Sequence, residues 1–86
     1  MIDGRQIRAA RTMLGWSRED LVEASGASMS AVLRMEGGLA DSRGSTMMKV
    51  AKALIAAGIE FITREDGAIG VILKGPQAQN PTSSRQ

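Results

Sequence analysis

The sequence predicts a mainly α-helical domain of four short helices, followed by a C-terminal β-hairpin. Three observations predict this fold. Apolar residues recur at spacings of three and four up to residue 58, which is the period of a helix with one buried face. Serines and glycines divide that region into short segments, because a serine can cap a helix and a glycine can end one. After residue 58 the apolar residues alternate, which is the period of a strand.

The composition is that of one small folded domain. The 86 residues include 43% hydrophobic and 23% charged residues, which are ordinary values for a globular chain. Only Trp16 and Phe61 are aromatic, so aliphatic side chains must form the core. Cysteine and histidine are both absent, which removes disulfides, thiolate chemistry and the usual zinc ligands and general bases. We therefore expect no enzyme activity, no cofactor and no metal, and the composition suits a cytoplasmic location.

The chain has no pattern of a targeting or membrane-spanning segment. The first eleven residues, MIDGRQIRAAR, carry charges every few positions instead of an apolar run. No run of about 18 apolar residues occurs. We therefore expect neither export nor membrane insertion.

The charges are sorted along the chain. A net charge of +2 is too small to indicate a nucleic-acid partner by itself. Residues 5–18, however, contain four arginines and no acidic residue, and three acidic residues follow within residues 19–23. This distribution, more than the net charge, favours a nucleic-acid partner.

The first two helices are predicted over residues 4–14 and 18–25. Gly15 ends the first helix. Ser17 is the predicted N-cap of the second, whose early acidic residues oppose the positive end of the helix dipole. Gly26 follows the second helix at a position where a tight turn needs a positive φ angle.

The next two helices are also predicted to begin at a serine cap and to end at a glycine. Ser28 is the predicted N-cap of the third helix, and the glycine pair that begins at Gly37 ends it. A loop then leads to Ser45, which is the predicted N-cap of the fourth helix. Gly58 ends that helix.

The sequence after residue 58 has two parts, a segment with the alternation of strands and a polar segment that contains both prolines. Residues 59–63 and 69–73 alternate as two strands joined by an REDG turn, which predicts a β-hairpin. Residues 75–86 contain both prolines of the chain and no large apolar side chain. Such a segment cannot offset the entropy cost of ordering, so we predict a disordered tail.

Two helices joined by a glycine-bearing turn, the second capped by serine, form the sequence pattern of a helix-turn-helix. The segments IRAAR, WSREDLVEASGAS, VLRMEGG and MMKVAKAL lie in order between residues 7 and 54. With these segments the chain resembles the lambda-repressor-like family of DNA-binding domains, also called the XRE or Cro type. The resemblance implies a helical bundle that docks its third helix in the major groove of double-stranded DNA, usually as a dimer on a near-palindromic operator.

The resemblance also implies the residues that hold the bundle together. The internal ion pair of the family falls on Arg11 and Glu36, and a bidentate pair of this kind can fix the third helix against the first. The alternative is two separately solvated side chains. The core positions of the family fall on Ile7, Ala10, Leu14, Trp16, Leu21, Val22, Ala27, Val32 and Met35.

Contacts to DNA phosphates are implied at the start of the second and third helices and in the following loop. These positions are Ser17, Arg18, Ser28 and the loop from Gly37 to Arg43. Helix N-termini offer unpaired N–H groups to a phosphate oxygen. Family members commonly have Gln where Arg18 stands, and Arg keeps the donor while adding charge. The alternative for each serine is that it only caps its helix.

Base-reading positions are implied at Met29, Ser30 and Arg34. Met29 departs from the family pattern, because a methionine can touch a thymine methyl group but cannot hydrogen-bond a base edge. Arg34 can hold O6 and N7 of a guanine. The alternative for Arg34 is a phosphate contact or a salt bridge.

The hairpin is predicted to form a dimer interface. Ile62 and Ile72 project on the face of the hairpin that the rest of the chain cannot bury. A two-fold homodimer through this face or the hairpin edge would place two third helices roughly 34 Å apart. The alternative is a monomer. The residues expected to cover the helical bundle are Phe61, Ile69, Val71 and Leu73.

The sequence thus predicts three segments and one leading function. The segments are a helix-turn-helix domain at 1–58, a hairpin at 59–74 and a tail at 75–86. The leading function is a DNA-binding transcriptional regulator that acts as a homodimer. The alternative is a protein-interaction module, such as an antitoxin or anti-activator, that docks a partner regulator on Met29, Ala31 and Leu33 and reads bases weakly or not at all.

Overall fold

The computed structural model describes residues 2–38 and 44–75. Within these ranges four helices precede a two-stranded antiparallel hairpin, so the predicted mainly helical fold with a C-terminal hairpin is confirmed. The elements are α1 (Gly4–Met13), α2 (Arg18–Ser25), α3 (Met29–Glu36), α4 (Gly44–Ala56), β1 (Ile59–Thr63) and β2 (Ile69–Leu73). Apart from Gly75, the predicted tail lies outside the described residues.

Two of the predicted helix caps are confirmed and one is wrong. The Ser17 hydroxyl accepts a hydrogen bond from the Asp20 N–H at 3.0 Å, and the Asp20 carboxylate accepts one from the Ser17 N–H at 2.8 Å. The Ser28 hydroxyl accepts from the Ala31 N–H at 3.1 Å. Helix α4 begins at Gly44, so Ser45 lies inside its first turn and is not the N-cap.

The helical core matches the predicted positions closely. Six of the nine predicted core residues are buried, and Leu14, Trp16 and Val22 are partly buried and pack against them. Helix α4 adds Val50 and Leu54, both at 0% exposure. The large, fully buried side chains are Ile7, Leu21, Met35, Leu54, Ile59, Val32 and Val50.

The hairpin covers the bundle with one face. Phe61 is paired with Val71 across the strands, and both pack against the core. Leu73 is 38% exposed, so the prediction that it covers the bundle is wrong. Leu73 lies at the far end of β2, where its cross-strand partner Ile59 takes the buried position directly after α4.

The first turn of α1 joins the hairpin to α3. The buried Gln6 amide donates hydrogen bonds to the carbonyls of Ile62 and Gly70 at 2.9 and 3.0 Å. On the neighbouring side, a Cβ atom at Gly4 would overlap the backbone carbonyl of Met35. The hairpin and the C-terminal end of α3 are therefore both fixed against the same turn of α1.

Candidate nucleic-acid interface

Helices α2 and α3 are joined by a short turn whose geometry the sequence anticipates. Gly26 has a φ angle of 77°, which confirms the predicted left-handed conformation. Its N–H donates to the Val22 carbonyl at 2.9 Å. Ala27 is buried, and its N–H donates to the Ser25 hydroxyl at 3.1 Å. Because the N–H groups of Gly26 and Ala27 are both hydrogen-bonded and Ala27 is buried in the core, the turn fixes the orientation of α3 relative to α2.

The buried side of α3 determines which side chains face outward. Val32 is 0% and Met35 is 2% exposed. The exposed side chains of α3 are Ser30, Leu33 and Arg34. Two of the predicted base-reading residues, Ser30 and Arg34, are four residues apart and thus share one exposed face. The third, Met29, is half-buried.

The predicted phosphate contacts lie at the helix starts and in the loop after α3. Ser17 and Ser28 are exposed caps whose hydroxyls accept backbone hydrogen bonds. Each hydroxyl therefore caps its helix and still has a proton to donate to a phosphate oxygen. Gly37 and Gly38 are exposed at the end of α3. Arg43 lies outside the described residues.

The structure brings Arg11 and Glu36 together in a bidentate ion pair. Nε of Arg11 lies 2.7 Å from Oε2 of Glu36, and Nη2 lies 3.1 Å from Oε1. The third nitrogen of Arg11, Nη1, donates to the Trp16 carbonyl at 2.9 Å. The two side chains are 11% and 3% exposed. This pair fixes the end of α3 against α1 and against the segment that precedes α2.

Arg18 also binds Glu36, a contact that was not predicted from the sequence. Its Nε lies 3.1 Å from Oε1 of Glu36, and its side chain is 41% exposed. Arg18 was expected to contact phosphate, and no internal partner was predicted for it. The two residues are 18 positions apart, so no local spacing predicts the contact. Only the packing of α2 against α3 brings them together.

The surrounding groups shift the pKa of both members of the buried pair. Burial raises the pKa of the Glu36 carboxyl, but hydrogen bonds and charge from Arg11 and Arg18 outweigh burial, so the pKa lies below its ordinary value. The hydrogen bond to Glu36 raises the pKa of Arg11. Arg11 and Glu36 are therefore both charged at neutral pH.

The predicted dimer residues lie on the outer face of the hairpin. Ile62 is paired with Gly70, and Ile72 is paired with Glu60. Because residues paired directly share a face and faces alternate along a strand, Ile62 and Ile72 lie on the same face, opposite the one that carries Phe61. Ile72 is 44% exposed and Ile62 is half-buried.

A second exposed apolar pair on α4 was missed at the sequence level. Met48 is 60% and Ile55 is 52% exposed. They are seven residues apart and so lie on the same side of the helix. Neither residue was assigned a role from the sequence.

Among residues 2–38 and 44–75, other kinds of site are weakly supported. A shallow groove of about 290 Å³ lies between α1 and β2, and the Gln6 amide that lines it is already bound to the hairpin carbonyls. No cluster of three or more acidic, histidine or cysteine side chains in these ranges could hold a metal ion. Nor does any helix in them have the length and apolar character needed to cross a membrane.

Comparison with known proteins adds no family. The sequence matches no model of a protein family, and it has no significant match among curated proteins. The resemblance to the lambda-repressor-like family therefore stays an expectation that rests on the four quoted segments.

Proposed function

We propose that the protein is a sequence-specific, DNA-binding transcriptional regulator that acts as a homodimer on a near-palindromic operator. The observation that carries the proposal is the exposed face of α3. Ser30 and Arg34 share that face, on the second helix of a pair joined by the left-handed Gly26. A helix presented in this way fits the major groove, where Arg34 can donate two hydrogen bonds to a guanine.

Contacts to the sugar-phosphate backbone would fix the register of α3. Ser17 and Ser28 are exposed at the N-terminal ends of α2 and α3, where backbone N–H groups and the helix dipole favour a phosphate oxygen. Arg18 and Arg43 would add positive charge. These contacts supply affinity for any duplex, and base contacts supply the preference for an operator.

The homodimer would form through the outer face of the hairpin. Ile72 and Ile62 give that face an apolar centre, and a second copy of the chain would bury it. A two-fold arrangement would place the two α3 helices roughly 34 Å apart, which matches successive major grooves on one side of a duplex. The regulator would act in the cytoplasm by occupying its operator.

Salt-dependent binding to random-sequence duplex DNA tests the proposal directly. Each phosphate that is neutralised by Lys or Arg contributes about −0.9 to the slope of log affinity against log salt. We expect binding at low salt that weakens steeply as salt rises, and weaker binding to single-stranded DNA of the same length. Absence of duplex binding at low salt by the folded protein would contradict the proposal.

A protein-interaction module is the second candidate, and one observation favours it. Leu33 is 49% exposed on the outward side of α3, and an apolar side chain there suits a protein partner such as another regulator. Leu33→Ser separates the two candidates. If the module is correct, this change abolishes partner capture while any DNA binding is unaffected. If α3 enters the major groove, the change alters affinity for DNA.

A further inference from the structure

The two arginines that bind Glu36 differ in the donors that they retain. All three nitrogens of Arg11 bind within the protein: two bind the carboxylate and one binds the Trp16 carbonyl. Arg18 binds the carboxylate through Nε only. The edge of its guanidinium that carries the two terminal amino groups makes no hydrogen bond to Glu36. That edge can also take two oxygens of a phosphate at once, as the edge formed by Nε and Nη2 can.

Charge is distributed unevenly over this cluster. Two guanidinium groups and one carboxylate leave one net positive charge. Arg11 and Glu36 are 11% and 3% exposed at the side chain, whereas Arg18 is 41% exposed. The excess charge therefore lies at the exposed end of Arg18, at the first residue of α2.

We propose that Glu36 is a positioning residue that orients Arg18 as a bidentate phosphate contact of the α2–α3 pair. This inference rests on the proposed function, because it concerns how the protein would hold DNA. The carboxylate fixes the Nε side of the guanidinium, so that the terminal amino groups face outward before DNA arrives. A side chain oriented in advance loses less rotamer freedom on binding than a free arginine does.

The position of Glu36 gives this contact a second consequence. Glu36 is the last residue of α3, and the same carboxylate binds α1 through Arg11 and the start of α2 through Arg18. The phosphate contact and the end of α3 are therefore joined through one group. A phosphate held by Arg18 constrains the angle at which α3 enters the groove.

Substitutions at Arg18 test the inference by separating charge from orientation. Arg18→Gln removes both, and we expect an affinity loss of about tenfold for random duplex DNA and a salt slope that is smaller by about 0.9. Arg18→Lys keeps the charge but cannot bind Glu36 and a phosphate as Arg does. We expect Arg18→Lys to keep the salt slope and still lose about fivefold in affinity. Arg64→Gln, an equal change of charge at the exposed hairpin turn, is the control.

A double-mutant cycle with Glu36→Gln tests the role of the carboxylate. If Glu36 orients Arg18, the loss caused by Arg18→Gln becomes at least threefold smaller when Glu36 is already replaced. Thermal unfolding identifies any variant that does not fold. If Glu36→Gln does not fold, the affinity of Arg18→Lys decides whether Glu36 positions Arg18, because that variant leaves the pair of Arg11 and Glu36 intact.

The outcomes distinguish this inference from the proposed function. Arg18→Lys with wild-type affinity would overturn the positioning role and leave DNA binding standing. If Arg18→Gln changes the salt slope no more than the control Arg64→Gln does, Arg18 does not contact a phosphate. If the wild-type protein binds no duplex at low salt, the proposed function fails, and the positioning role fails with it.

Discussion

At the scale of single residues, the Glu36 carboxylate both stabilises the helical bundle and binds a residue of the candidate interface. It accepts hydrogen bonds from two arginines and is 3% exposed at the side chain. Removing one partner of a buried ion pair leaves an uncompensated charge and costs about 3–5 kcal/mol, whereas an exposed pair contributes little. Because Glu36 is buried, we expect the loss of either partner of its pair with Arg11 to cost the larger of these two amounts of stability.

The lowered pKa of Glu36 makes stability depend on pH in a defined direction. Because its pKa is lower in the folded state, Glu36 contributes stability that is fully present above the unfolded pKa of about 4.5. That contribution is lost as pH falls through the folded pKa. We expect the free energy of unfolding, measured with urea, to decrease as pH falls below about 5 and to decrease less in Glu36→Gln. An equal pH dependence in both proteins would contradict the prediction.

Arg34 is the residue on which base preference should depend. Arg34→Ala removes the only guanidinium on the exposed face of α3 within the described residues. We expect it to relax preference at one base pair in each half-site, by about 1–3 kcal/mol, in binding selections from a randomised duplex library. Arg18→Ala is the comparison, because loss of a phosphate contact should weaken all sequences about equally. The reading role of Arg34 would be refuted if its variant weakened preferred and random sequences by the same factor.

At the scale of elements, α1 and α3 approach each other through a glycine. Gly4→Ala would place a Cβ atom against the Met35 carbonyl, and backbone atoms cannot move aside cheaply. We expect a loss of about 2 kcal/mol or more in stability, measured by thermal unfolding. Gly44→Ala is a matched control, because it is also a helix residue and a Cβ atom there meets nothing within 4 Å. Equal effects of the two substitutions would show that helix propensity, and not the close approach, decides the outcome.

The elements also show which features a sequence can predict. Ser17 with Asp20 and the left-handed Gly26 were predictable because caps and tight turns depend on residues a few positions apart. The start of α1 was missed in part: Asp3 caps it, and Gln6 completes the capping box. That pattern was readable locally. The contact of Gln6 with Ile62 was not, because the two residues are 56 positions apart and only the packed fold joins them.

In the candidate site, too, some features could be predicted from the sequence and others depend on the packed fold. The pair of Arg11 and Glu36 was expected from a resemblance, and the exposed face of α3 followed from its helical period. The second arginine on Glu36 depends on how α2 packs against α3, and no spacing along the chain encodes that distance. Leu73 was wrongly assigned to the bundle because strand alternation gives the face of a residue but not how far the covering helices extend.

At the scale of the whole molecule, the first turn of α1 connects the hairpin to α3. Gln6 binds the hairpin backbone, and Gly4, two residues earlier in the same turn of α1, touches the end of α3. A dimer built on the hairpin would therefore set the distance and angle between two α3 helices. Such a connection matters only if the hairpin is the dimer interface, so the interface is the decisive test at this scale.

We expect Ile72→Glu to convert the proposed homodimer to a monomer. Ile72 is 44% exposed on the outer hairpin face beside Glu60, so a second carboxylate there adds desolvation cost and repulsion to any interface on that face while the fold of one chain is preserved. Analytical ultracentrifugation gives the mass, and DNA binding should fall in parallel, because a monomer engages a single half-site. Ile55→Glu is the control, since Ile55 is 52% exposed on α4 and carries the same substitution away from the hairpin. If Ile55→Glu lowers the mass and Ile72→Glu does not, the two-fold interface lies on α4, and the spacing of the α3 helices no longer depends on the turn that contains Gln6.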